Sequence, residues 1–214
     1  LTSQQQEGVA IIQRSGEYLL TLINDVLDLS KIEADRMELV PTELYFETFL
    51  NGINELFQMR AEQKGITFQY QSLSSLPHLI YTDETRLRQI LINLLSNAVK
   101  FTEQGTVKFK VNALQTPNSL HNYWKIRFQV DDTGIGIAPE ELAQIFLPFQ
   151  QVGRRNYKTQ GSGLGLAISK KLIQMMSGEI YVESAVGQGT TFWLELNLSE
   201  ISNHPPPPIE KPMI

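Results

Sequence analysis

Three short stretches bring together residue types that could hold a phosphorylated ligand. The first is DETRLRQILINLLSNAVKFT, Asp83 to Thr102. Arg86, Asn93, Asn97 and Lys100 recur at helical spacing and share one stripe if the stretch is a helix. Amide oxygens can coordinate a hard cation, and an ammonium can meet phosphate. The plain alternative is a solvated edge beside the core. Such an edge would more often carry Glu and Lys, and Asn is a mediocre helix former. The second stretch is Asp132-Thr-Gly134-Ile-Gly136. A carboxylate at a strand end, followed by glycines that let a ligand approach the backbone, suits hydrogen bonding to an adenine amino group. By spacing alone it is equally a simple Asp-Gly turn. The third is Gly161-Ser-Gly163-Leu-Gly165, ahead of a helix starting near Leu164. Exposed amides at a helix N-terminus form an anion site, and glycines admit a phosphate; a flexible hinge would read the same way. It is not a Walker loop, which ends in Gly-Lys-Ser/Thr. Nor is it a dinucleotide fingerprint, because no strand leads into it and Leu166 stands at the third glycine's place.

These stretches need elements to position them. Asp83 is a good N-cap, and Leu87, Ile90, Leu91, Leu94, Leu95 and Ala98 give the helix after it a broad apolar face. Upstream, the spacing predicts a long helix from about Ser3 to Ile32. Val9, Ile12, Gly16, Leu19, Ile23 and Val26 approximate a heptad seam. Such a helix is not stable alone and calls for partner helices, in this chain or in another copy. The alternative is that it lies on the main domain. A polar joint, Glu33 to Arg36, precedes a short strand and a turn at Pro41. Thr42 is expected to cap a second helix with a core face of Phe46, Phe49, Leu50, Ile53, Leu56 and Phe57. Short strands follow at ITFQY and LPHLIYTD. Thr106–Ala113 and the run Trp124, Ile126, Phe128, Val130 alternate as strands. A short helix begins at Pro139. Gln150 to Gly163 is polar and without periodicity, as expected of a mobile loop. Leu164, Ala167, Ile168, Leu172 and Met175 mark a further helix, stopped by Gly178. Two last strands join through Gly187-Gln-Gly189, and HPPPPIEKP is an extended linker. The irregular alternation of helices and strands, several of them hairpin neighbours, predicts an α+β sandwich: a mixed sheet with helices on one face.

Composition narrows the function classes. The chain has 214 residues, enough for one domain and an appendage, with 42% hydrophobic residues. A net charge of −5 does not suit a nucleic-acid footprint. The absence of cysteine removes disulfides, thiolate metal sites and Cys nucleophiles. No apolar run is long enough to span a bilayer and no signal-peptide pattern opens the chain, so a soluble, cytoplasmic chain is expected, with any membrane link through upstream segments.

Taken in order, the stretches resemble the ATP-binding domain of two-component sensor histidine kinases, within the wider superfamily of gyrase, heat-shock-chaperone, histidine-kinase and MutL-type ATPases. The resemblance runs from about Met37 to Leu198. Asn93–Phe101 looks like the N box, Asp132–Gly136 the G1 box, Phe146-Leu-Pro-Phe149 the F box and Gly161–Gly165 the G2 box. It implies a Bergerat-type ATP-binding fold over residues 37–199, a partial dimerisation and phosphotransfer helix over 1–36, and a Pro-rich tail over 200–214. It implies ATP and Mg²⁺ as cofactors, with Asn97 on the metal and Asn93 and Lys100 at the phosphates as the catalytic pair. Asp132 would read the adenine amino group, helped by Thr190, with Phe101 bordering the base. Gly163 and Gly165 would cradle phosphate. Gly134, Gly136, Ile137, Phe149, Gly161 and Leu164 complete the implied nucleotide contacts. Gln150–Ser162 would form a lid. Family lids often place an Arg after the F box, where this chain has Gln151; Arg154, Arg155 or Lys158 could supply the charge. The implied partners are a second copy, through a helical hairpin, and a response-regulator receiver domain, separate or fused.

Two departures sharpen the reading. The family phosphorylates a histidine in a His-Glu/Asp-x-x-x-Pro segment, which this sequence lacks. His78, His121 and His204 have neither the helical setting nor the acidic neighbour. The chain looks like a piece cut after the phosphoacceptor helix, expected to bind nucleotide without labelling itself. In the ATP-hydrolysing relatives the position of Asn93 holds a water-activating Glu, and an amide cannot take that proton. Phosphoryl transfer is therefore favoured over hydrolysis. The alternatives are an ATPase module of the same superfamily, a Ser/Thr kinase of the anti-sigma type, and a nucleotide-binding regulatory module without turnover.

Overall fold

The computed structural model describes residues 2–115, 123–151 and 161–201. The chain opens with α1 (Ser3–Glu33), capped by Thr2, whose hydroxyl accepts from the Gln5 amide while the Gln5 side chain accepts from the Thr2 amide. This is a capping box, satisfying two amides that the first turn leaves unpaired. Then come β1 (Thr42–Tyr45), α2 (Phe46–Lys64), β2 (Thr67–Ser72), β3 (Leu79–Thr82) and α3 (Glu84–Phe101). β4 (Thr106–Gln115), β5 (Tyr123–Asp132), the one-turn α4 (Pro139–Leu142), α5 (Gly165–Met175), β6 (Glu179–Ala185) and β7 (Gly189–Glu200) follow.

The strands form one mixed sheet in the order β1-β3-β7-β5-β4-β2. Only the β2–β4 pair is parallel among the described ladders. β6 pairs with the first part of β7 and β3 with its last residues, so β7 is the hub of the sheet. Alternation decides the faces. Phe192, Leu194, Leu196 and Leu198 of β7 point to one side with Ile126, Phe128 and Val130 of β5 and Val107, Phe109 and Val111 of β4. On that side lie the buried stripes of α2, α3 and α5. The other face carries Lys110, Lys125, Arg127, Asp131 and Glu195, paired across strands. The expected α+β sandwich with helices on one face is therefore present.

One detail departs from expectation. Thr42 caps no helix. Thr42–Tyr45 pairs antiparallel with β3, burying Leu44 opposite Ile80, and the helix begins only at Phe46, whose amide donates to the His78 carbonyl. The ladder uses backbone groups that a helical turn would need, so tertiary pairing overrides the local capping signal. α1 combines the two arrangements that its sequence leaves open. Its last turns lie on the domain, with Leu29 and Ile32 buried, whereas Val9, Ile12 and Leu19 of the seam are exposed.

Candidate functional site

α3 positions the first group of site residues. Asp83 caps it by accepting from the Arg86 amide and also accepts from the Val40 amide. At the other end the Lys64 ammonium donates to the carbonyls of Val99 and Lys100, both at 2.6 Å, satisfying acceptors that the helix terminus leaves open. With Leu87, Ile90, Leu91, Leu94 and Leu95 buried, the flank carrying Asn93, Asn97 and Lys100 faces a cavity of about 620 Å³. Arg86 leaves the stripe: its guanidinium pairs with Asp28 of α1 at 3.0 Å.

One end of the cavity is floored by the junction of β5, β6 and β7. Asp132 closes β5 opposite Thr190, and its Oδ1 accepts from the Gly134 amide at 2.8 Å. Burial pushes its pKa up; bonds from the Gly134 and Thr190 amides oppose this, and the neighbouring Asp131 charge adds to it. The Thr190 hydroxyl lies 2.9 Å from Ser184 Oγ. Ser184 donates its single proton to the Gly189 carbonyl and accepts from the Ile137 amide. Thr190 must then be the donor toward Ser184, which leaves its oxygen an acceptor. An acceptor beside a carboxylate is a floor that matches an exocyclic amine and repels a carbonyl.

The other end is made where α3 meets the glycine-rich turn before α5. Asn93 Nδ2 donates to Ser169 Oγ at 2.9 Å. A Cβ on Gly165 would sit 2.2 Å from Asn93 Oδ1, so only glycine lets the amide approach the start of α5. Gly163 has φ +69°, a left-handed conformation that side chains disfavour, and its carbonyl accepts from the Phe149 amide. The Lys100 ammonium lies beside Gly161, where an added Cβ would be 3.2 Å away, and 4.9 Å from the Phe101 ring centre. Burial lowers its pKa. A half-buried ammonium, amides at a helix N-terminus and two asparagines are groups whose chemistry can hold an anion with an accompanying cation.

Most of the residues singled out by sequence meet at this cavity: Asn93, Asn97, Lys100, Phe101, Asp132, Gly136, Ile137, Gly161, Gly163, Gly165 and Thr190 all line it. Three do not. Gly134 stands behind Asp132 as a hydrogen-bond donor. Leu164 is fully buried in the core as the residue preceding α5. Phe149 points away and is 64% exposed, while Phe146 of the same box packs edge-on against Phe192, a cavity residue. Gln151 belongs to the base of the turn, donating to the Gly161 carbonyl. Residues 152–160, with Arg154, Arg155 and Lys158, lie outside the described residues, as do His121 and His204. His78 is exposed and packs edge-on to Tyr45, far from a catalytic setting.

Sequence reasoning missed Ser184, Ser169 and the wall that α1 supplies. Ser184 and Ser169 carry no pattern of their own; only strand register and helix packing bring them to Thr190 and Asn93. Among the described residues no cluster of His, Cys, Asp or Glu could hold a metal by itself. One half-buried amide on the cavity wall does fit an ion that arrives with phosphates and keeps its waters, as Mg²⁺ does.

Comparisons with known proteins bear on the family and the fold. Residues 82–200, more than half of the chain, match the family described as histidine kinase-, DNA gyrase B- and HSP90-like ATPases. The chain belongs to that ATPase family. Among curated relatives it is 41% identical over 193 residues to hybrid signal transduction histidine kinase B of Dictyostelium discoideum, covering 90% of this chain and 10% of that protein. It is 38% identical over 204 residues to the aerobic respiration control sensor protein ArcB of Escherichia coli K12, covering 94% of this chain and 25% of the relative. The chain thus spans a tenth to a quarter of these relatives. Among solved structures, full-length ShkA in complex with AMPPNP aligns with TM-score 0.76 at 39% identity, over 95% of this chain and 41% of that one. The catalytic domain of histidine kinase ThkA aligns with TM-score 0.59 at 29% identity, over 75% of this chain and 98% of that one. In sequence and fold the chain is an ATP-binding domain of the histidine-kinase branch of the ATPase family. No helix among the described residues is long and apolar enough to cross a membrane.

Proposed function

We propose that this chain is the ATP-binding catalytic part of a sensor histidine kinase. It presents the γ-phosphoryl group of Mg-ATP to a histidine on a helix outside this chain, for relay to a response-regulator receiver aspartate. The observation that carries the reading is the chemical polarity of one cavity. It has an acceptor-only floor at Asp132 and Thr190, and its lining also holds an ammonium, amides and glycine backbone where α3 meets the turn before α5. Adenine fits the first group and a triphosphate the second. The ShkA relative binds the ATP analogue AMPPNP, which supports the same assignment.

Mg²⁺ would be held by Asn97 together with phosphate oxygens and water, and would offset charge on the transferring group. Lys100 adds a positive charge next to the glycine turn. Asn93, held by Ser169 against Gly165, orients the turn and has no basic atom with which to activate water. Transfer to an acceptor that brings its own nucleophile is thereby favoured over hydrolysis. The exposed seam of α1 would pair with a preceding helix and a second copy, placing an acceptor near the cavity.

Calorimetric titration tests the proposal. Wild type should bind Mg-ATP in preference to Mg-GTP. Asn97→Leu should lose the Mg²⁺-dependent part of ATP binding and keep its fold. A folded Asn97→Leu whose Mg²⁺ titration matches wild type would remove Asn97 from the metal. Equal affinity for ATP and GTP would contradict the adenine assignment.

A further inference from the structure

One wall of the cavity comes from outside the ATP-binding domain. Tyr18, Thr21, Leu22 and Asp25 of α1 line it. Asp25 accepts from Ser162 Oγ at 2.9 Å, and the same oxygen accepts from the Leu164 amide at 3.2 Å. One turn further on, Asp28 pairs with Arg86 at 3.0 Å and accepts from Gln89 Nε2 at 2.9 Å. α1 is therefore tied to the glycine-rich turn by one aspartate and to α3 by another.

Proton counting gives this arrangement a consequence. A hydroxyl has one proton, and that of Ser162 goes to Asp25. The Leu164 amide is spent on Ser162. Both are donors that a phosphate entering at the start of α5 would use. A carboxylate also stands beside the place where the phosphates would lie, and like charges disfavour each other most where water is scarce. Asp25 is half-buried; burial raises its pKa, the Ser162 bond opposes this, and Asp28 adds repulsion.

We infer that docked α1 competes with the nucleotide's phosphates for the glycine-rich turn, with Asp25 as the competing anion and Asp28 as the anchor that keeps the helix in place. The inference rests on the nucleotide reading above and deepens it by naming how that site is regulated. Coupling of this kind is reciprocal: whatever docking α1 takes from nucleotide affinity, bound nucleotide takes from α1 docking. A partner helix on the exposed seam of α1 would act on the nucleotide through the same link.

The test uses Mg-ATP and the whole chain. Asp25→Asn keeps an acceptor and removes the charge, and should bind Mg-ATP roughly five- to thirtyfold more tightly than wild type. Asp25→Ala removes the acceptor too and should gain at least as much. Asp28→Asn, which does not touch the turn, should gain a smaller factor by loosening α1. In wild type, saturating Mg-ATP should speed amide hydrogen exchange across residues 18–28. If Asp132→Ala weakens Mg-ATP binding while folded Asp25→Asn and Asp25→Ala keep wild-type affinity, the competition is wrong and the nucleotide reading stands. If wild type and the Asp25 variants all fail to bind Mg-ATP, the nucleotide reading falls and the competition with it.

Discussion

Asp131 and Asp132 are consecutive residues of β5, and the pleat sends them to opposite faces of one sheet. Asp131 lies on the open face, 2.7 Å from the Lys110 ammonium, and accepts from Gln129 and Thr191. Burial pushes its pKa up, but those bonds and the Lys110 charge outweigh it and hold the carboxyl below its ordinary value. Asp132 lies on the helix-covered face at the cavity floor. There burial dominates, amide bonds offset it only in part, and the pKa rises. One carboxylate is matched to cross-strand partners and serves the sheet. The other lies on the cavity lining, where its amide bonds offset only part of its desolvation.

The comparison breaks most visibly in binding. Asp132→Ala should lose roughly 1.5–3 kcal/mol of ATP affinity, the usual worth of a hydrogen bond to a charged group, whereas Asp131→Ala should stay within about twofold of wild type. Calorimetry on both folded variants decides, and equal losses would mean that the pleat does not separate the two roles. The next effect is on stability against pH. The folded pKa of Asp131 is depressed, so its contribution is present above the unfolded value of about 3.8 and lost as pH falls through the folded value. Asp132 has the reverse sign: the native state binds the extra proton, so its contribution declines as pH rises from 3.8 through the raised folded value. Urea unfolding of Asp131→Asn and Asp132→Asn across the acid range should therefore give difference curves of opposite slope. The smallest effect belongs to the open face alone. Tyr181 stacks on Trp193 with ring centres 5.3 Å apart, on the same side as Asp131. Tyr181→Ala should lower Tm by a few degrees at most and leave ATP affinity unchanged. A change in affinity would show that the open face communicates with the cavity.

The sheet and the three core helices were legible because each is periodic over many residues. The apolar positions of α3 predicted its buried face, and the alternation in β4 and β5 predicted theirs. Thr42 misled because a capping residue is a local signal, and the ladder with β3 belongs to residues far along the chain. Phe149 and Leu164 were included through the motifs they sit in, but the backbone turns that carry them send one side chain to solvent and the other into the core. Arg86 shares a helical stripe with Asn93, yet Asp28 draws it away from the cavity.

By itself the sequence determined which residues could meet a nucleotide and in what order they occur. Helical and strand periods are set by local sterics and hydrogen bonding, and the glycine-rich turns mark where a ligand can approach. It also determined that none of the three histidines of this chain has an acidic neighbour and that residue 93 is an amide without a basic atom. Tertiary structure alone decided how those groups are placed and bonded. It paired Thr190 with Ser184 so that the floor accepts, pressed Asn93 against Gly165, and brought Asp25 to Ser162. Such pairings join residues distant in sequence, and no periodicity encodes them. They follow from how the apolar faces of α3, α5 and the sheet come together, which carries the polar groups at their edges to one place.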